Sequence, residues 1–123
     1  MNWPCYRNYE NILLCYDSNM LNFSGKDQKA QLVCLHYAEK LNADTLIPII
    51  KCKASVTSRE EAVTLSRFFW MMLEAAADDR DKGIEVLGEA DLQHWMGRSM
   101  NVISGYLGNI GYDEVWDQVS DEF

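Results

Sequence analysis

The residues that could bind a transition metal include two histidines, His36 and His94, each with a carboxylate three positions away. His36 with Glu39, and Asp91 with His94, would each share one helical face, because residues three apart are neighbours on a helix surface. A di-iron carboxylate bundle requires Glu-x-x-His on two helices and a further Glu from each of two others. Here one pair begins with Asp and the other is reversed. The spacing therefore predicts neither a metal centre nor another cofactor.

The segment 78–89 has the length of a calcium-binding loop. Asp78, Gly83 and Glu89 would occupy its positions one, six and twelve. Positions three and five, where oxygen ligands are required, are Arg80 and Lys82. Two cations among the ligands argue against calcium, and we expect a solvated, charged loop over 78–88.

Neither nucleophilic catalysis nor nucleotide binding has a signature in this chain. A nucleophilic site needs Ser or Cys beside a His with an orienting acid, and no nucleophile elbow is present. No glycine-rich phosphate loop is present either. Gly97 and Gly105 interrupt an apolar helical pattern, which suggests close approach of another helix. The sequence predicts a protein that is not an enzyme.

The cysteines predict free thiols in a cytoplasmic protein. The four cysteines are widely spaced among apolar residues; they are Cys5, Cys15, Cys34 and Cys52. The first residues contain no basic n-region, and no apolar run approaches the length of a membrane span. Because disulfides are rare in the cytosol, buried free thiols are the expected state.

Charge is distributed unevenly along the chain. Residues 1–73 carry eight Lys and Arg against seven Asp and Glu, whereas residues 74–123 carry three against twelve, so the halves are +1 and −9 and total −8. The segment 113–123 contains five carboxylates and no base. Nucleic acid is an unsuitable direct partner because phosphate contacts need clustered Lys and Arg. A one-sided field of this kind predicts recognition of a basic protein.

The carboxylates of the C-terminal half are the candidate partner-binding residues. They are Asp113, Glu114, Asp117, Asp121 and Glu122, extended by Asp78, Asp79 and Asp81. Complementary charge speeds encounter and selects the partner, while aromatic anchors usually carry the affinity. Trp116 is the candidate anchor, and the neighbouring Tyr112 and Phe123 are further candidates.

The elements that must position these residues are helices. Apolar spacing at three and four residues predicts them over about 9–20, 26–42, 58–77, 89–107 and 112–123. Ser58 and Glu61 form a capping box that opens the most apolar of these segments, which we place at the centre. Ser24 is the expected N-cap of the second helix. We predict an all-α, single-domain bundle of four to five helices spanning residues 1–123.

Residues 43–57 allow two interpretations. The run 46–52 could form a short edge strand, since Pro48 is tolerated in a sheet only at an edge or a bulge. Alternatively, Asp44 caps a short helix with Pro48 in its first turn. We prefer the helix.

The sequence thus favours a small acidic inhibitor that occludes a basic surface of a partner protein. Toxin immunity proteins, and phage or plasmid anti-defence inhibitors of nucleic-acid-processing enzymes, are of this physical type. A structural or homo-oligomeric helical subunit is the alternative. A small metal-dependent enzyme using the histidines is the least favoured.

Overall fold

The computed structural model describes residues 20–123, and within them the chain forms five α-helices and no strand. They are α1 (Gln28–Lys40), α2 (Ile47–Ile50), α3 (Arg59–Asp81), α4 (Leu92–Asn109) and α5 (Asp113–Ser120). Short 3-10 turns at Gly25–Asp27 and Asp44–Leu46 lead into α1 and α2. The all-α bundle is confirmed. The predicted helix over 9–20, and the cysteines Cys5 and Cys15, lie outside the described residues.

The bundle is organised around α3 and α4, which pack against each other. Both α1 and α5 contact these two helices, as expected for a central α3. The apolar residues of α3 supply the middle of the core, including the fully buried Leu65, Phe69 and Met72. They meet Ile103 and Leu107 of α4, which are also fully buried. No helix in this part of the chain combines the length and apolarity that crossing a membrane requires.

At the start of α3 the predicted cap by Ser58 is present, while the return bond of Glu61 goes to Thr57, the residue before the N-cap. The Ser58 Oγ accepts a hydrogen bond from the Glu61 backbone N–H at 3.2 Å. The Glu61 carboxylate accepts bonds from the backbone N–H and the hydroxyl of Thr57, at 2.7 and 2.8 Å. These bonds from Thr57 hold the pKa of Glu61 below its usual value. The start of α3 is therefore specified by local sequence.

The end of α3 differs from the prediction. The helix continues through Asp81, so the expected loop over 78–88 begins only at Lys82. Gly83, with φ of +73°, ends it, since its N–H bonds to the Arg80 carbonyl and the Ile84 N–H bonds to the Asp79 carbonyl. This is the Schellman pattern, for which glycine is favoured. A calcium loop over 78–89 is thereby also excluded, because its first residues are helical.

Residues 44–50 adopt the helical alternative, and no edge strand forms over 46–52. Asp44 is not the expected cap, because it lies inside the 3-10 turn and Leu46 is the N-cap of α2. Pro48 lies in the first turn of α2, where its missing N–H removes no helical hydrogen bond. Ile49 and Ile50 are buried under α1, and the Gln31 side chain donates to the Ile50 carbonyl at 2.8 Å.

One local expectation is wrong, and a second finds no support within residues 20–123. Ser24 makes no side-chain capping bond, and it precedes the 3-10 turn whose last residue, Asp27, is the N-cap of α1. Gly97 and Gly105 are exposed, and no atom of the described chain lies within 4 Å of a Cβ built at either. The glycines of α4 therefore do not accommodate another helix of residues 20–123.

Candidate functional site

The C-terminal helix α5 presents one apolar and one charged face. Val115 and Val119 are buried against the bundle. Trp116 is partly buried, and its ring centroid lies 5.3 Å from that of Phe69 and 5.6 Å from that of Trp70. A helix of eight residues is marginal without tertiary support, so these contacts with α3 hold α5 in place.

Trp116 therefore lies in an aromatic cluster within the fold, made of Phe69, Trp70, Trp116 and Phe123. Phe123 stacks on Trp70 with centroids 6.4 Å apart and an angle of 20° between the ring planes. The Phe123 side chain is 54% exposed, whereas Trp116 is partly covered. Of the three candidate aromatic anchors, Phe123 is the one most available to a partner, and Tyr112 is partly buried like Trp116.

Two of the five predicted C-terminal carboxylates are paired with arginines of α3. Glu114 accepts from Arg59 at 3.0 Å, and Glu122 accepts from Arg67 at 3.3 Å. Arg59 also donates to the side-chain oxygen of Gln118. Exposed pairs of this kind contribute at most about 1 kcal/mol each to stability. They cancel two negative charges of the predicted patch locally.

The remaining three carboxylates form an acidic stripe, which comprises Asp113, Asp117 and Asp121. They are four residues apart, so they lie along one side of α5 at intervals of about 6 Å. All three are exposed, and none forms an ion pair with another described residue. The acidic stripe is the part of the predicted patch that keeps its charge.

The second predicted group of carboxylates does not join this stripe. Asp78, Asp79 and Asp81 occupy the last turn of α3. Asp78 pairs with Lys82 at 2.9 Å and Asp81 with Arg80 at 3.2 Å.

Asp79 is not a surface residue. It is only 3% exposed and accepts a hydrogen bond from the Tyr37 hydroxyl at 2.7 Å. Lys40 donates to both of its oxygens, at 3.2 and 3.1 Å. Burial alone would raise the pKa of Asp79, but the bonds from Tyr37 and Lys40 outweigh it and hold that pKa below its usual value. The carboxylate ties α1 to α3 and is withdrawn from any partner, which corrects the expectation for this residue.

The two histidines lie on different helices, and each packs against a neighbouring aromatic ring. His36 on α1 packs edge-on against Tyr37, and His94 on α4 packs edge-on against Trp95. Within residues 20–123, no three or more His, Cys, Asp and Glu side chains come together in a group that could hold a metal ion.

A tight turn that the sequence pattern did not predict joins α3 to α4. Val86 and Glu89 exchange both backbone hydrogen bonds, at 3.0 and 2.9 Å, so Leu87 and Gly88 form a two-residue hairpin loop. Both loop residues have positive φ, +54° and +77°, as a type I′ turn requires. Glycine adopts a positive φ without steric penalty, but the same backbone conformation is less favourable for leucine by about 1–2 kcal/mol. The one turn signal in the sequence at this place is Gly88, and the leucine before it gives none.

Contacts with the bundle fix the turn, and apolar side chains cover the face that is exposed to solvent. Val86 is buried, the Lys29 ammonium donates to the Leu87 carbonyl at 3.1 Å, and the Trp95 indole N–H donates to Glu89 at 2.8 Å. Leu87 is nevertheless 48% exposed, and Ile84 is 46% exposed. The structure thus holds a strained backbone in one conformation while displaying its side chain to solvent.

Cys34 is a buried thiol, and we expect it to be unreactive in the folded protein. Its Sγ donates to the Ser99 hydroxyl at 3.3 Å, and burial raises the pKa of the thiol to about 12. Because the thiolate is the nucleophile, alkylation at pH 8 should modify Cys34 only after unfolding by denaturant. Cys52, which is partly exposed, serves as the internal control in a site-resolved mass measurement. Equal labelling rates at the two sites in native buffer would contradict the buried placement.

Comparison with known proteins adds no family to this picture. No protein-family model matches the sequence, and searches of the curated proteins and of the solved structures returned no match.

Proposed function

We propose that this protein is a stoichiometric protein-binding inhibitor, which covers a basic surface of a partner protein and performs no catalysis itself. The observation that carries the proposal is the acidic stripe, Asp113, Asp117 and Asp121, which is exposed, aligned and unpaired within the described chain. Its neighbours Glu114 and Glu122 are held by Arg59 and Arg67.

The stripe suits the Lys and Arg side chains of a protein surface. Three carboxylates at intervals of about 6 Å create a local negative potential that attracts protruding cations and accelerates encounter. Asp113 and Asp117 lie on α5 and Asp121 is its C-cap. Val115 and Val119 bury the opposite face of this helix, so a fixed element presents the stripe. Preorganised charges lose little conformational entropy on binding, which favours a specific complex.

The partner class we favour is a toxin or a nucleic-acid-processing enzyme, because such proteins carry basic active surfaces. Covering that surface would block phosphate binding without any chemistry by the inhibitor. A compact stripe beside an exposed aromatic, Phe123, resembles an immunity-type interface more than an extended mimic of DNA, which would need carboxylates over a wider area. The compartment we propose is the cytoplasm, and the proposal includes no cofactor.

Neutralising the stripe should slow association with the partner. In the variant carrying both Asp117→Asn and Asp121→Asn, we expect the association rate at low salt to fall by about tenfold and its salt dependence to flatten. The measurement is surface plasmon resonance at several salt concentrations, using the partner isolated by affinity capture from the native source.

The matched control removes the same charge from the same helix at the paired positions, with Glu114→Gln and Glu122→Gln. This variant raises the net charge by the same amount and leaves Arg59 and Arg67 without their carboxylates, but it keeps the stripe itself intact. Because salt screens charges that lie away from the contact, association should slow less than in the stripe variant. Equal slowing in both variants would assign the effect to net charge and contradict a specific stripe. A stable homo-oligomer by analytical ultracentrifugation, with no partner captured, would favour the structural-subunit alternative.

A further inference from the structure

We propose that the turn surface, formed by Leu32, Ile84 and Leu87, docks an apolar segment of a partner protein that carries Lys or Arg beside its apolar side chains. This surface lies at the opposite end of α3 from the contacts of α5, which involve residues 59–70 of that helix. The proposal therefore stands on observations separate from the acidic stripe.

The three apolar side chains lie along one side of the bundle. Lys29 of α1 bonds to the Leu87 carbonyl, and His36 of α1 lines the same depression as Ile84. Segment 84–87 thus runs beside the α1 face on which Leu32 lies, one turn from each of Lys29 and His36. Leu32, Ile84 and Leu87 are 50%, 46% and 48% exposed, and they are three of the five exposed large apolar side chains in the described chain.

The positive φ of Leu87 indicates that its exposed side chain has a role in binding. Asn-Gly is the preferred pair for a type I′ turn, and here leucine occupies the asparagine position at φ of +54°. Neither burial nor backbone preference accounts for leucine there, since half of the side chain faces water. Strained residues that the surrounding structure holds firmly are concentrated at binding and active sites. An apolar side chain held in one position, as Leu87 is here, has the properties of a preorganised interface anchor.

The charges around the surface select the occupant. A depression of about 460 Å³ next to Ile84 is lined by Glu39 and Glu85, which are exposed and form no ion pair with other described residues. The charges of Lys40 and Asp79, which line it too, neutralise each other. Lys26, also unpaired within residues 20–123, lies in the 3-10 turn before α1, far along the chain from Glu39. Lys29, beside Leu87, is paired with Glu89 at 3.8 Å. A bound segment would therefore place its apolar side chains over Leu87 and its cations at the Glu39 and Glu85 end.

The same charges disfavour the other occupants of an apolar surface. A second copy related by twofold symmetry would bring the same unpaired carboxylates of both chains to one interface. An anionic lipid surface would be repelled by Glu39 and Glu85. Both remain outcomes that the experiment can return.

The test is a titration of the ¹⁵N-labelled full chain with a synthetic 14-residue peptide of Leu and Lys, arranged so that Leu lies on one helical face. We expect amide shift changes centred on Leu32 and residues 84–89. A scrambled peptide of the same composition, and a matched peptide of Leu and Glu, should shift these amides far less. Equal response to either control peptide, or shifts confined to α5, would overturn the proposal.

Leu87→Asn is the decisive variant. It creates Asn-Gly in the turn, so the thermal midpoint should be equal to or higher than that of the unaltered protein, while affinity for the Leu/Lys peptide falls by about tenfold or more. The Asp117→Asn, Asp121→Asn variant should keep the shifts at 84–89, which separates failure of this proposal from failure of the acidic stripe. Unchanged affinity in Leu87→Asn would overturn the proposal. So would dimerisation through the turn, or binding to phosphatidylserine vesicles that Leu87→Asn abolishes.

Discussion

Replacement of Trp116 by alanine is expected to lower the free energy of unfolding of the isolated protein by about 3 kcal/mol. The indole packs against the rings of Phe69 and Trp70, with centroids 5.3 and 5.6 Å away, and it holds the short helix α5 onto α3. Its removal leaves a gap under α5 that the neighbouring rings fill only in part. Chemical denaturation followed by circular dichroism at 222 nm measures the change.

Two matched variants separate a core role of Trp116 from an interface role. Trp116→Phe keeps an aromatic ring and should recover about half of the lost stability. Phe123→Ala removes a ring that is 54% exposed, so it should affect stability much less than Trp116→Ala. If Trp116→Ala leaves stability unchanged but abolishes partner binding, Trp116 is an interface anchor, and its packing contributes little to the fold.

The helices could be predicted because their signals are local. The cap by Ser58 fixes the start of α3, and the apolar spacing of Val115 and Val119 identifies the buried face of α5. The apolar periodicity of a helix, however, does not identify the surface that packs against its apolar face. The sequence could not decide whether Trp116 faces α3 or a partner, since both choices have the same periodicity.

The charged residues were harder to place because their partners are distant in sequence. Asp79 lies next to exposed Asp78, yet it is buried because Tyr37, 42 positions earlier, supplies a hydroxyl to it. Similarly, the negative charges of Glu114 and Glu122 are compensated locally by arginines that lie 55 positions away in each case. The sequence lists these carboxylates without their burial or ion-pair partners, which follow from the packing of α1 and α5 on α3.

The turn at Leu87 was missed for a related reason. Gly88 is a turn signal, but a type I′ turn is usually announced by Asn, Asp or Gly at the preceding position as well. A leucine there gives no turn signal of its own. Its conformation is fixed by Lys29 and Trp95 from α1 and α4, which are contacts that no local pattern contains.

Replacement of Asp79 by alanine is the second large expected effect. The free energy of unfolding at pH 7 should fall by about 2–4 kcal/mol, because the Tyr37 hydroxyl would be left without its carboxylate and the pair with Lys40 would be lost. Asp78→Ala is the matched control, one residue away on the same helix turn. Asp78 is exposed, and Lys82 is its ion-pair partner among residues 20–123, so its loss should leave the denaturation midpoint almost unchanged.

The pH dependence of stability identifies the charge as the cause. Because the pKa of Asp79 is held below its ordinary value, its contribution to stability is fully present above the unfolded-state pKa of about 3.9 and is lost as pH falls through the lower folded-state pKa. Asp79→Asn keeps the side-chain shape but cannot titrate. The stability difference between the unaltered protein and this variant should therefore be constant from pH 7 to about pH 5 and shrink below about pH 4. A difference that stays constant down to pH 2.5 would mean that shape and hydrogen bonding at this position, and not the ionised carboxylate, join α1 to α3.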